Sequence, residues 1–192
     1  GDDMNWASPA YDDSSWSQKQ LVERWPVGGY PDTAHIAWYR LTLKIRGYSP
    51  ERQSDFLPLG VRIGKVLSAY ELYAGGKLIG GQGSFPPLSD INYDRTRVYA
   101  LPWSAVAEDG SVVLSLRVWG GSDLALSRWA GGPYTGDFRV GDYDTLLKKS
   151  FLSEMPGLAV SVLFLGFGLY HIYLYRRNRQ LDTYLWYGLV AL

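Results

Sequence analysis

The chain contains no cysteine. Disulfides, thiolate nucleophiles and cysteine-ligated metal sites are therefore excluded, while the compartment stays open, because exported and cytosolic domains alike can do without cysteine. Histidine is almost as scarce: His35 and His171 are the only two. A Ser-His-Asp arrangement or a histidine metal site would have to use His35, which stands just before a predicted strand and reads as a strand-edge residue. An excess of one charge is missing too. Lys+Arg and Asp+Glu both number 19, giving a formal net charge of zero. The chain thus lacks the basic excess by which proteins hold nucleic acid. Glycine is frequent, at 22 residues, yet no stretch matches a phosphate-cradling loop that opens a helix. The opening GDDMNWASP has no basic segment and no apolar one, so it is no signal peptide. With the apolar end YLWYGLVAL, it leads us to expect an internal piece of a longer protein. Neither a catalytic constellation nor a cofactor or metal site is expected within these residues.

Aromatic residues are abundant, at 15% of the chain with 8 Trp and 15 Tyr. That suits both an all-β domain and a sugar-binding one, and composition does not separate the two. In AWYRLTLKIRG, Leu41, Leu43 and Ile45 alternate with Arg40, Thr42, Lys44 and Arg46, the period of a half-buried strand. In AYELYAGGKLIGG, Gly75-Gly76 between two short apolar runs predicts a hairpin whose tight turn needs positive φ. TRVYALP and SVVLSLRVWGG predict two more strands, with Val112, Leu114, Leu116 and Val118 sharing one face of the second. DFRVGDYDTLLKKS closes the domain and turns helical. Short strands punctuated by Gly and Pro predict a mainly β fold, a β-sandwich.

No charged residue lies between Glu154 and Arg176. A transmembrane helix needs about 20 mostly apolar residues, so a span over about 155–175 is expected, rather than a helix buried in a soluble core. Pro156 suits its first turn. Gly157 and Ser161, one turn apart, would admit a neighbouring helix. Tyr170, Tyr173 and Tyr175 crowd one end like an interfacial belt. His171 lies inside the span. An ionisable group there is a functional candidate, although a neutral imidazole reaching headgroups or a neighbouring helix explains it as well. Arg176, Arg177 and Arg179 follow the run, whereas only Lys148 and Lys149 precede it. The basic side is cytoplasmic by the positive-inside rule, which puts the β domain outside the cytoplasm of a cell whose inner (cytoplasmic) membrane holds the helix. A turn at 176–182 and the start of a second helix at 183–192 follow. The expected division is 1–145 for the β domain and 146–192 for the membrane region, with lipid as partner of the latter.

Sugar rings stack their C–H faces on Trp and Tyr while polar neighbours bind the hydroxyls. Two Gly/Pro-rich stretches, outside regular structure by composition, offer that combination. VERWPVGGYPD supplies Trp25, Tyr30 and Asp32; SRWAGGPYTGD supplies Arg128, Trp129, Tyr134 and Asp137. The alternative is that these aromatics plug the ends of the sandwich, as is expected of Trp16 and Trp38. Asp12 and Asp13 offer oxygen ligands suited to Ca²⁺, but one of them capping the DDSSW turn is the simpler reading.

YDDSSW at 11–16, WYR at 38–40, ELYAGGKLIGG and VVLSLRVWGG follow one another as in a galactose-binding-like jelly roll, and together they resemble the N-terminal domains of family 2 glycoside hydrolases. The likeness covers about residues 5–140. It departs from the family at Gly75-Gly76, where Asn-Gly is common, and in having a membrane span where the hydrolases have a catalytic barrel. GLYHIYLYRRNRQLDTYLWYGLVAL resembles the first two helices of bacterial seven-transmembrane receptors with diverse intracellular signalling modules, through Leu169-Tyr170-His171, Arg176-Arg177, Tyr184-Leu185 and Gly188-Leu189. That resemblance implies an extracytoplasmic jelly-roll sensor for a carbohydrate, another small ligand or a partner protein. A signalling enzyme would lie beyond residue 192. Two other readings fit the same residues: a structural module that pairs with a second copy or a neighbouring subunit, and the accessory domain of a membrane-anchored hydrolase.

Overall fold

A computed structural model describes residues 2–22, 36–67, 69–87, 90, 95–120 and 132–191. The chain divides into two compact units, Gly1–Leu147 and Lys148–Leu192.

The first unit is built of antiparallel sheets. Strands β1 (Ile36–Lys44), β4 (Ala69–Ala74), β5 (Lys77–Gln82) and β7 (Ser111–Trp119) form a four-stranded sheet in the order β1-β7-β4-β5. Strands β2 (Leu59–Ile63), β6 (Arg97–Leu101) and β9 (Arg139–Asp142) form a three-stranded sheet in the order β6-β2-β9, and β3 (Lys65–Leu67) pairs with β8 (Gly132–Thr135). The predicted alternation holds on β7: Val112, Leu114, Leu116 and Val118 face a core shared with Tyr70 and Leu72 of β4 and with Val61 and Ile63 of β2. Those side chains are nearly dry, and burying each contributes about 1.5–3 kcal/mol. The β4–β5 turn is the expected tight one, with Gly75 and Gly76 at φ +55° and +81°. Both central residues have positive φ because that backbone twist matches the twist of the paired strands.

The other face of the four-stranded sheet is not left to solvent. Asp3 caps a short 3-10 turn, Met4–Ala7, by accepting from the Asn5 N–H at 2.9 Å, and this N-terminal arm lies on the sheet. Ala7, Trp38 and Tyr73 are buried there, with Trp6, Trp16 and Ile36 packed against them. Trp6 meets Trp16 and Trp38 edge-on, at centroid distances of 5.4 and 6.2 Å, the geometry that the ring quadrupole favours. Trp16 and Trp38 therefore do not plug an end of the sandwich. Trp38 shares its face of β1 with Arg40, opposite the core-facing Ala37 and Tyr39, and the arm brings Trp16 to that outer face. Asp12 accepts from the Ser14 N–H at 3.0 Å, which is the capping role, while Asp13 pairs with Arg40.

Strand β9 passes directly into the helix α1 (Tyr143–Arg177), which is followed by α2 (Asp182–Ala191). Asp142 caps α1 by accepting from the Thr145 N–H at 2.8 Å. The helix thus begins well before the uncharged run. Pro156 lies in its interior rather than in its first turn, so the Leu152 carbonyl loses its i→i+4 donor. At about 1.5 Å per residue, α1 is about 52 Å long, more than a hydrocarbon core of about 30 Å requires. It is the one helix among the described residues long and apolar enough to span a membrane, and its apolar window is 6% buried. Leu158, Val162, Leu163, Phe164 and Leu169 are all more than half exposed, so this is not a core helix of the described fold.

Among the described residues, close helix approach occurs at Gly188. A Cβ on Gly188 would meet the Ile172 Cγ1 at 2.7 Å and the Gly168 carbonyl at 3.1 Å, whereas nothing lies within 4 Å of one on Gly157. Ser161 turns its hydroxyl back to the Gly157 carbonyl of its own helix, at 3.0 Å. His171 Nδ1 lies 2.9 Å from the Phe167 carbonyl, and its ring contacts Tyr184 and Tyr187 of α2.

Candidate functional site

Strand β2 carries an arginine in the middle of an apolar run. Val61 and Ile63 enter the core, so Arg62 faces the other way. It pairs directly with Arg139 across the β2–β9 ladder. Like charges at such positions repel, and Asp137 relieves the conflict: its Oδ1 lies 2.7 Å from Arg139 Nε and its Oδ2 3.5 Å from Arg62 Nη1. The Arg62 side chain is only 8% exposed, and its Nε is buried without a hydrogen-bond partner.

Arg62 and Arg139 line a cleft of about 830 Å³ that also takes in Trp16, Gln18 and Lys19 from the arm and Tyr39 from β1, and whose floor is apolar core, including Ile63, Leu72 and Leu116. It reaches both edge strands β1 and β9. The volume falls within the range of small-molecule sites. An aromatic ring, amide and hydroxyl groups and guanidinium donors can together hold a polar ring-shaped ligand. A more open hollow of about 650 Å³ lies beside the β4–β5 hairpin, lined by Tyr70, Glu71, Gly81 and Phe85. Its polar groups are already engaged, Tyr99 donating to the Gly81 carbonyl and sharing a 2.9 Å hydroxyl contact with Tyr70. The cleft is therefore the better candidate.

A second polar cluster sits under the arm. Arg117 of β7 pairs with both Asp2 and Glu71, at 2.5 and 2.9 Å, and its guanidinium lies 4.2 Å from the Phe85 ring centroid. Burial opposes its charge, but the two carboxylates outweigh that and raise its pKa further. Burial, then the hydrogen bond to Glu71, push the Tyr73 hydroxyl up to about 12. Each member is spent on another, so this cluster fastens the arm rather than binding a ligand.

Of the residues expected at a site, Trp25, Tyr30, Asp32, Arg128 and Trp129 lie outside the described residues, as does His35. Tyr134 is on β8 and half-buried, not in an irregular loop, because Gly132–Thr135 finds a pairing partner in β3. Asp137 joins the two arginines. Arg62, Arg139 and the lining role of Trp16 were missed by sequence reasoning. The one available signal was a charged residue inside an otherwise apolar VRI run. Among the described residues no group of three or more His, Cys, Asp or Glu could hold a metal ion.

No family model matches the chain, and no curated protein does. Solved structures do. A calcium-binding mutant of Bacteroides uniformis β-glucuronidase 2 matches at 19% identity and a TM-score of 0.51, over 70% of this chain and 16% of its own. A glycosyl hydrolase family 2 member from Bacteroides cellulosilyticus gives 16% identity and 0.49, over 64% and 16%. Another B. uniformis β-glucuronidase structure gives 19% and 0.49, over 74% and 15%. The chain thus spans about a sixth of the length of these enzymes. What is shared with the first is the fold of a β domain.

Proposed function

We propose that the β unit is the extracytoplasmic sensor domain of a bacterial signal-transduction receptor, with a jelly-roll topology. In this reading α1 and α2 are the first two helices of a seven-transmembrane set in the cytoplasmic membrane. The ligand is a carbohydrate or a similar small polar molecule, held in the cleft beside Arg62. The observation that supports the reading most is continuity. Strand β9, which contributes Arg139 to the cleft, runs into α1 without a linker. A ligand that favours one position of β9 would bias the helix behind it, and such differential binding is the only way a ligand can shift a conformational equilibrium. A strand that continues into a helix without a linker transmits tilt or rotation that a flexible tether would absorb.

The second reading, an accessory domain of a membrane-anchored hydrolase, draws on the fold likeness. The test is retention of the 192-residue chain in nanodiscs on a glycan array, with spin labels on cysteines placed at Tyr173 and Tyr187. A sensor retains a glycan, and that glycan changes the dipolar coupling between α1 and α2. Retention with unchanged coupling favours the accessory domain. No retention sinks the carbohydrate sensor.

A further inference from the structure

We infer that Arg62 and Arg139 form a receptor for the carboxylate of a small ligand, supplied by an acidic saccharide or by a simple carboxylic acid. The inference rests on the proposed reading of the β unit as a ligand-binding domain and names the chemistry that its cleft selects.

Three observations carry it. First, the Arg62 Nε is a buried donor on a charged group with no acceptor, which is costly. Arg62 lines the cleft, so an acceptor entering there meets a guanidinium whose hydrogen bonding is incomplete. Second, among the described residues two guanidinium groups share the carboxylate of Asp137, so an anion entering beside them meets two positive groups. Third, the Nε and one Nη of a guanidinium form a fork that fits the two oxygens of a carboxylate. Arg62 meets Asp137 through Nη1 alone, at 3.5 Å, while Arg139 uses its Nε, at 2.7 Å. The Nε edge of the buried arginine is thus uncommitted. The half-buried Trp16, also in the lining, offers an apolar surface to a sugar ring.

The experiment uses the 192-residue chain in nanodiscs, with an array of uronic-acid-terminated and neutral glycans and a calorimetric titration with propionate. Retention confined to uronic-acid glycans, lost at least tenfold in Arg62→Gln and only partly in Arg62→Lys, is the expected result for a saccharide source. Binding of propionate with no glycan retained, again lost in Arg62→Gln, assigns the same site to a simple acid. Arg139→Gln, at a position more than half exposed, should weaken either by several-fold without disturbing the fold. It carries the test if Arg62→Gln does not fold. Retention of neutral glycans, or binding that survives both substitutions, overturns the inference and leaves the ligand-binding reading standing. Absence of binding to every probe removes both.

Discussion

Arg117 grips Asp2 at two points across 115 residues of sequence: Nε to Oδ1 at 2.9 Å and Nη2 to Oδ2 at 2.5 Å. Asp2 Oδ1 also accepts from the Trp38 indole at 3.0 Å. In the sheet, Trp38 and Glu71 both pair with Arg117. One row across three strands therefore presents an indole donor, a guanidinium and a carboxylate to the first residues of the arm.

This clasp makes stability depend on acid. The hydrogen bond from Arg117 holds the Asp2 carboxyl below its ordinary pKa, against a smaller opposing effect of burial. A carboxylate whose folded pKa is depressed contributes stability that is full above its unfolded value of about 4 and lost as the pH falls through the folded value. Asp2→Asn should cost about 1 kcal/mol at pH 7, a figure already reduced for its partial exposure. The deficit should shrink as the pH falls from 7 toward 2. Urea denaturation of the nanodisc-held chain at both pH values, followed by tryptophan fluorescence, measures it. An equal deficit at both would mean that the charge pair does not hold the arm.

Arg40 should matter more. Its side chain is 3% exposed and pairs with Asp13 at 2.8 Å, and it donates to the carbonyls of Trp6, Ser8 and Tyr11. Arg40→Ala strands those acceptors and should cost about 3 kcal/mol. Arg40→Lys should recover less than half, because an ammonium lacks the planar fork. Proteolysis that cuts the arm before the sheets would report the loss, and an unchanged cutting pattern would contradict the role given to Arg40.

Much of this fold was legible. The alternation in β1 and β7 and the paired glycines at 75–76 each follow from a local rule that tertiary contacts did not override. Strands β2, β3, β8 and β9 were not predicted, because three- to five-residue segments carry too little period to stand out. The outer-face role of Trp38 was hidden for a different reason. An aromatic residue in a strand declares that its face is covered, not what covers it, and here an arm from 22 or more residues away does so. Arg62 was hidden because the value of its charge depends on Arg139 and Asp137, which only the β2–β9 register brings beside it.

The α1–α2 approach turns on one missing side chain. Gly188→Leu forces a side chain into Ile172 and the Gly168 carbonyl and should separate the helices. Spin labels at Tyr173 and Tyr187 should lose most of their dipolar broadening in the variant. Broadening that persists would mean that the pair is held by other contacts.

The account depends most on lipid surrounding α1 between Glu154 and Arg176. Because the chain has no cysteine, a single cysteine at Lys77 or at Arg179 can be labelled without background. In intact spheroplasts, a membrane-impermeant maleimide should label Lys77→Cys at once and Arg179→Cys only after permeabilisation. Labelling of both positions from the same side of the membrane would contradict the spanning helix and the sensor built on it.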